Sequence, residues 1–330
     1  MHNACGRCLK LVLLAVALLT FEGSLNLALG QDTHRFTLER QKQEGFTLGG
    51  LATPHWSGGA ILVIDGNRSD EPLIHRIGRD GELERIRLSI PEGRHITVAG
   101  VAGARDGSVA VIGSVYSNDG RGTTFLARIQ PDRLRQVVTQ LWPYVPKVVT
   151  FAPDGTIWTI GWVRSGDAIS AWNVLKRFDP SGKLLDSQSI RAKPHVVDGA
   201  NPVNPRSRDA SSLSALRATG DQVAWLTSGN ELIEFALDGR EVGRYDGPDC
   251  ADSRSISRLA LRDDNEVIAH FPKCKPDYRL LDRTNRSWIP FELTTDKDAE
   301  WDVPLGFDAG ILVTSSQTGM VRRYKLGTGQ

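Results

Sequence analysis

Six times along this chain a short β-branched run follows a Gly, Asp or Asn turn and leads into a second strand that ends at another turn. The repeated central strands begin at Ile61, Val109, Ile157, Val223, Val267 and Ile311, at intervals of 48, 48, 66, 44 and 44 residues. Such a repeat constrains the fold more than any single motif, because no unit can bury its apolar face alone and each must pack on its neighbours. Only the third interval is long, and its surplus lies in residues 191–212, a stretch rich in Pro, Asn, Asp and Arg. That segment reads as an insertion in a regular array, so the count of six stands. Period-two alternation without any long helical pattern makes the elements strands. Four strands in every 40–50 residues or so are the blades of a propeller. The expectation is an all-β protein: a six-bladed β-propeller of four-stranded antiparallel blades.

Turn chemistry supports this at each blade. In blade 2 the strands are expected at Ile96–Ala102, Ser108–Tyr116, Thr124–Ile129 and Leu134–Gln140. Hairpins such as Ala104-Arg-Asp-Gly107, Ala152-Pro-Asp-Gly155 and Leu237-Asp-Gly239 carry the glycine that tight turns need. The last blade is one strand short, since only four residues follow Leu326. Residues 35–40, with Phe36 and Leu38 alternating against polar neighbours, are expected to supply its outer strand and remove an open edge. Arg76, Arg128 and Arg177 recur on third strands and read as a ladder on the outer surface.

The phrases Phe151-Ala-Pro-Asp-Gly-Thr-Ile-Trp158 and Arg177-Phe-Asp-Pro-Ser-Gly-Lys183 resemble six-bladed propellers of the NHL-repeat and gluconolactonase-like superfamily. The resemblance spans about residues 46–326, and its motifs are architectural, so it implies a fold more than an activity. Gluconolactonase-like enzymes hold a divalent cation in the central channel, and their first ligand follows the pattern Glu-Gly-Pro ahead of a Trp. Here Glu44-Gly45-Phe46 departs from that pattern and Trp56 comes late. The resemblance therefore implies a metal-dependent lactonase only as an alternative.

Composition is ordinary for a globular chain, with 33 Gly in 330 residues and a net charge of +1, so nothing global points to nucleic acid. Arg7 and Lys10 precede an apolar run from Leu11 to Phe21, and small residues at Ala28 and Gly30 fit signal-peptidase cleavage. Residues 1–30 are expected to be a cleaved signal peptide and 31–330 a single propeller domain, secreted or periplasmic, with no membrane insertion after cleavage. Two cysteines remain after cleavage, Cys250 in the loop leading into blade 5 and Cys274 in that blade's second-to-third loop. Those loops share a face, so in an oxidising compartment a disulfide is expected.

Local catalytic signatures are absent: no Gly-x-Ser-x-Gly, no His-Glu-x-x-His, no phosphate loop and no dinucleotide fingerprint. The histidines after residue 30 (34, 55, 75, 95, 195 and 270) are scattered, and His95 and His195 fall in lead-in loops. The face that carries the lead-in and second-to-third loops is richer. Trp142, Tyr144, Trp162 and Trp172 map there around blade 3, beside the insertion, and Trp301 maps to the same face at blade 6. Clustered rings make a stacking platform for a small-molecule, saccharide or protein ligand. Asp246, Asp249 and Asp252, and Asp296, Asp298, Glu300 and Asp302, are carboxylate-rich loops of the kind that collect calcium. The reading is an exported binding or protein-interaction module with its ligand on the loop face. Alternatives are the channel hydrolase and a structural subunit of an envelope assembly.

Overall fold

The computed structural model describes residues 34–41, 54–65, 68–79, 81–165, 168–169, 173–192, 215–252, 258–262, 265–294, 302–308, 310–316 and 321–326. All six blades are present in the expected order. The second strand of each begins at or within a residue of the expected anchor: Ala60–Asp65, Val109–Ser117, Ile157–Ser165, Gln222–Leu226, Val267–His270 and Ile311–Ser315. In blade 2 the four strands are Gly93–Gly103, Val109–Ser117, Gly122–Ile129 and Gln136–Gln140, antiparallel throughout. The expected signal segment and nearly all of the insertion lie outside the described residues. Among the described residues no helix is long and apolar enough to cross a membrane.

Period-two alternation determines the packing. Each strand sends alternate side chains to the blade before and the blade after it, so the core divides into six apolar clusters, one per junction. Leu62, Ile74, Val111 and Phe125 join blades 1 and 2, and Ile112, Leu126, Phe151 and Ile157 join blades 2 and 3. Trp158, Trp225, Ile233 and Phe235 join blades 3 and 4, whereas Leu226, Leu259, Phe271 and Trp288 join blades 4 and 5. Ile268, Phe291, Leu312 and Tyr324 join blades 5 and 6, and Trp56, Ile61, Leu305 and Val313 complete the ring between 6 and 1. Each fully buried large side chain contributes about 1.5–3 kcal/mol, which makes these junctions the main source of stability.

Polar latches repeat on the hairpin face, and they correct the reading of the arginines as an outer surface ladder. Arg128 donates to the Pro180 carbonyl at 2.8 Å, and Arg177 to the Leu237 carbonyl at 2.5 Å, each reaching the third-to-fourth turn of the next blade. Arg76 instead stays with Glu84 of its own blade, and Glu84 takes Arg133 of blade 2 at 2.6 Å. Arg283 of blade 5 reaches Glu234 of blade 4 at 2.7 Å, and Arg323 of blade 6 reaches the Arg79 carbonyl of blade 1 at 2.6 Å. A turn carbonyl at a closed junction needs a donor, and a long guanidinium is the group that can reach it.

The N-terminal strand closes the last blade as expected. Leu38 to Gln41 of the strand His34–Gln41 pair antiparallel with Leu326 to Arg323. Its first half adds a pairing not anticipated: His34 to Thr37 run parallel to Phe291–Thr294, the outer strand of blade 5. Blades 5 and 6 thereby form one eight-stranded sheet, and the open edges of two blades are occupied by one segment.

The Cys250–Cys274 disulfide is formed, with Cα atoms 5.0 Å apart. It closes the second-to-third loop of blade 5 against its lead-in loop, and such a cross-link contributes about 3 kcal/mol by restricting the unfolded chain.

Deleting residues 34–41 is expected to lower the thermal midpoint by several degrees and to promote aggregation through the two exposed edges. Thermal unfolding and size-exclusion chromatography of the truncated protein measure this, and an unchanged midpoint would remove the strand from the closure.

Candidate functional site

The rings expected to form a platform do not share one role. Tyr144 is 0% exposed, and its hydroxyl lies 3.0 Å from the Thr159 hydroxyl and donates to the Val174 carbonyl at 3.1 Å. It ties three strands of blade 3 together and offers no ring face to a ligand. The physical reason is register: Tyr144 opens the innermost strand Tyr144–Phe151, opposite Val163, on the side that packs against blade 2. Trp142 is 52% exposed with Arg164 over its ring, and Trp162 is half-buried beneath the Lys147 ammonium at 4.4 Å. Trp172 and Trp301 lie outside the described residues, as do Asp296, Asp298 and Glu300. Asp302 is buried and bound to Arg322 and to the Thr314 hydroxyl, a structural role inside blade 6. His270 donates or accepts at Asp277 at 2.9 Å under the disulfide loop, and His95 is exposed beside Asp70.

A cavity of about 640 Å³ opens on the opposite face, at the hairpin-side mouth of the central channel. Every blade contributes to its wall from its innermost strand or first hairpin: Gly58, Ala104, Pro153, Arg217, Leu261 and Phe307. Trp56 lies along one side, its indole donating to the Phe307 carbonyl at 3.3 Å. Gly306 is required there, because a Cβ would fall 1.9 Å from the Trp56 ring. Asp106 and Asp154 stand at the rim, and both carboxylates are committed to their own turns, on Ser108 and Thr156.

Charged groups of both signs line this cavity: Arg105, Arg128 and Arg217, with Asp106 and Asp154. Alternation along the innermost strand of blade 4, Ala215–Thr219, packs Leu216 and Ala218 toward blade 3 and leaves Arg217 on the other side. The Arg217 guanidinium donates to its neighbour's carbonyl, Leu216, at 2.9 Å, while its buried Nε has no partner. Burial, then the nearby Arg258, lower the Arg217 pKa to about 10. Arg258 starts the innermost strand of blade 5, Arg258–Leu261, and burial lowers its pKa as well. His55, on the innermost strand of blade 1, is pushed down to about 4 by burial first, then by Arg217 and Arg258. Among the described residues neither arginine forms an ion pair.

Among the described residues no three His, Cys, Asp or Glu side chains are grouped to hold a metal. The sequence reading passed over Arg217, which carries no motif and reaches the cavity wall only through closure of the ring.

No known family model matches this chain, and no curated protein does. Solved structures with a similar course include BBS1N in complex with ARL6DN, at 12% identity and a TM-score of 0.46, covering 84% of this chain and 79% of that one. Hsv2p of Kluyveromyces lactis is 12% identical with a TM-score of 0.41, over 86% of this chain and 74% of its own. At this distance neither likeness carries a functional argument. The six-bladed architecture rests on the strand order described above, and the resemblance to NHL-repeat propellers stays a likeness of turn motifs.

His55 yields a pH dependence. Its folded pKa lies near 4, below the ordinary imidazole value, so the unfolded chain binds the extra proton first. Stability from this group is complete above about pH 6.5 and falls as the pH drops toward 4. Urea midpoints measured across that window are expected to slope less for His55→Gln than for the parent, and equal slopes would contradict the burial of a neutral imidazole.

Proposed function

We propose that this protein is an exported binding module whose ligand enters the central channel from the hairpin face. The observation that carries the reading is the cavity of about 640 Å³ walled by all six blades. Its size is that of small-molecule sites, which are concave, largely preformed and equipped with a few converging polar groups. Export is supported by the apolar run between Leu11 and Phe21 and by the Cys250–Cys274 bridge, which suits an oxidising compartment. The half-exposed Trp142 on the loop face offers a single ring, a poorer site than an enclosed cavity.

The test is a ligand-observed NMR screen of small acids, sugars and peptides against the mature protein. Hits are expected to vanish in Ala218→Trp, which fills the cavity wall, and to persist in Trp142→Ala. Hits that vanish in Trp142→Ala and persist in Ala218→Trp would return the site to the loop face. A screen without hits at millimolar concentration would overturn the small-molecule reading.

A further inference from the structure

We propose that the Cys250–Cys274 bridge is a reducible clasp: Cys250 is the sulfur that exchanges with a small external thiol, and the Arg279 guanidinium stabilises it as a thiolate once the bridge opens. The inference concerns blade 5 alone and is independent of the channel cavity.

Three observations converge. The first is the contact itself. Arg279, on the third strand Tyr278–Asp282, directs a terminal guanidinium nitrogen at the Cys250 sulfur, 3.6 Å away, and reaches the Lys275 carbonyl at 3.5 Å. The second is that this charge has no carboxylate of its own. Arg133, Arg283 and Arg322 pair with Glu84, Glu234 and Asp302, whereas Arg279 is buried with no carboxylate at ion-pair distance among the described residues. Asp277, two residues away, is held by His270 at 2.9 Å. A buried guanidinium against a neutral disulfide gains little for the water it gives up, and it gains an ion pair when that sulfur becomes a thiolate. The charge therefore favours the reduced state. Lys273 and Lys275 on the same loop add to it, and Asp246, Asp249 and Asp252 on the lead-in loop oppose it, so the direction is set by the group in contact with the sulfur. The third observation is unequal access. Cys250 is exposed, whereas Cys274 is fully buried in the cluster that holds Phe271 and Trp288.

The exchange takes two steps. An external thiolate attacks the Cys250 sulfur; a new sulfur–sulfur bond forms, the bond to Cys274 breaks, and Cys274 leaves with the electron pair and takes a proton from water. A second thiolate attacks the external sulfur of this mixed disulfide and expels Cys250 as a thiolate beside Arg279. Two external thiols are oxidised to one disulfide, and the bridge gains their two electrons. Reduction frees the lead-in loop without undoing the blade, because the second-to-third loop closes on its own hydrogen bonds. The Cys274 N–H donates to the Phe271 carbonyl at 2.9 Å, and the Phe271 N–H to the Asp277 carbonyl at 2.8 Å. Trp288 is placed to report the release, since its indole donates to the Asp246 carbonyl of the lead-in loop at 2.7 Å.

The experiment equilibrates the mature protein with reduced and oxidised glutathione and traps the thiols in acid. Peptide mass spectrometry is expected to find glutathione on Cys250 in the mixed-disulfide fraction. The reduced protein is expected to keep its β-sheet circular dichroism and to change its tryptophan emission, a change that Trp288→Phe abolishes. In Cys274→Ser, iodoacetamide is expected to alkylate Cys250 at pH 7 about tenfold faster than an unstructured peptide thiol, whose pKa is about 8.5. Adding Arg279→Gln should remove that gain and adding Arg279→Lys should retain most of it. At pH 8 the parent should be half reduced at a [GSH]²/[GSSG] about tenfold lower than Arg279→Gln requires.

Glutathione found on Cys274 would overturn the proposal. An ordinary alkylation rate in Cys274→Ser overturns it whether or not Arg279→Gln folds. So does loss of the β-sheet signal on reduction, which would make the bridge a structural staple.

Discussion

Packing of each blade on the next, repeated round six junctions, is the constraint on which everything else depends. No blade has a core of its own: Trp158 belongs to blade 3 and Trp225 to blade 4, yet both are buried only because the two sheets meet. A ring built this way must close or leave two apolar faces in water. Closure here uses three devices at once. Trp56, Ile61, Leu305 and Val313 seal blade 6 to blade 1, Arg323 reaches the Arg79 carbonyl, and the N-terminal strand is shared by blades 5 and 6.

Closure also leaves an enclosed space. Innermost strands stand round an axis they cannot fill, and all six blades contribute to the wall of the cavity at its hairpin-side mouth. Packing at the junctions holds that wall rigid. Function in this account is placed where the closed ring leaves a preformed hollow.

Much of the fold was legible in the sequence because blades obey local rules. Period-two alternation and Asp-Gly turns located the second strands almost to the residue, and the missing fourth strand after Leu326 pointed to the N-terminal segment. The cysteines were legible for the same reason, since loop topology put Cys250 and Cys274 on one face. What resisted was anything decided between blades. The parallel pairing of His34–Thr37 with blade 5 leaves no local signature. Tyr144 read as a loop residue, but the innermost strand starts there and turns its ring inward. Arg128 and Arg177 read as surface charges, though their partners are carbonyls one blade away. Arg217 carried no motif at all, because its place on the cavity wall is a property of the closed ring.

The most direct measurement of the central claim is the equilibrium urea unfolding of Trp225→Ala. The account expects one cooperative transition destabilised by about 3–5 kcal/mol, because that ring is buried where blades 3 and 4 meet. An unchanged midpoint, or a variant in which blade 4 unfolds alone, would contradict it.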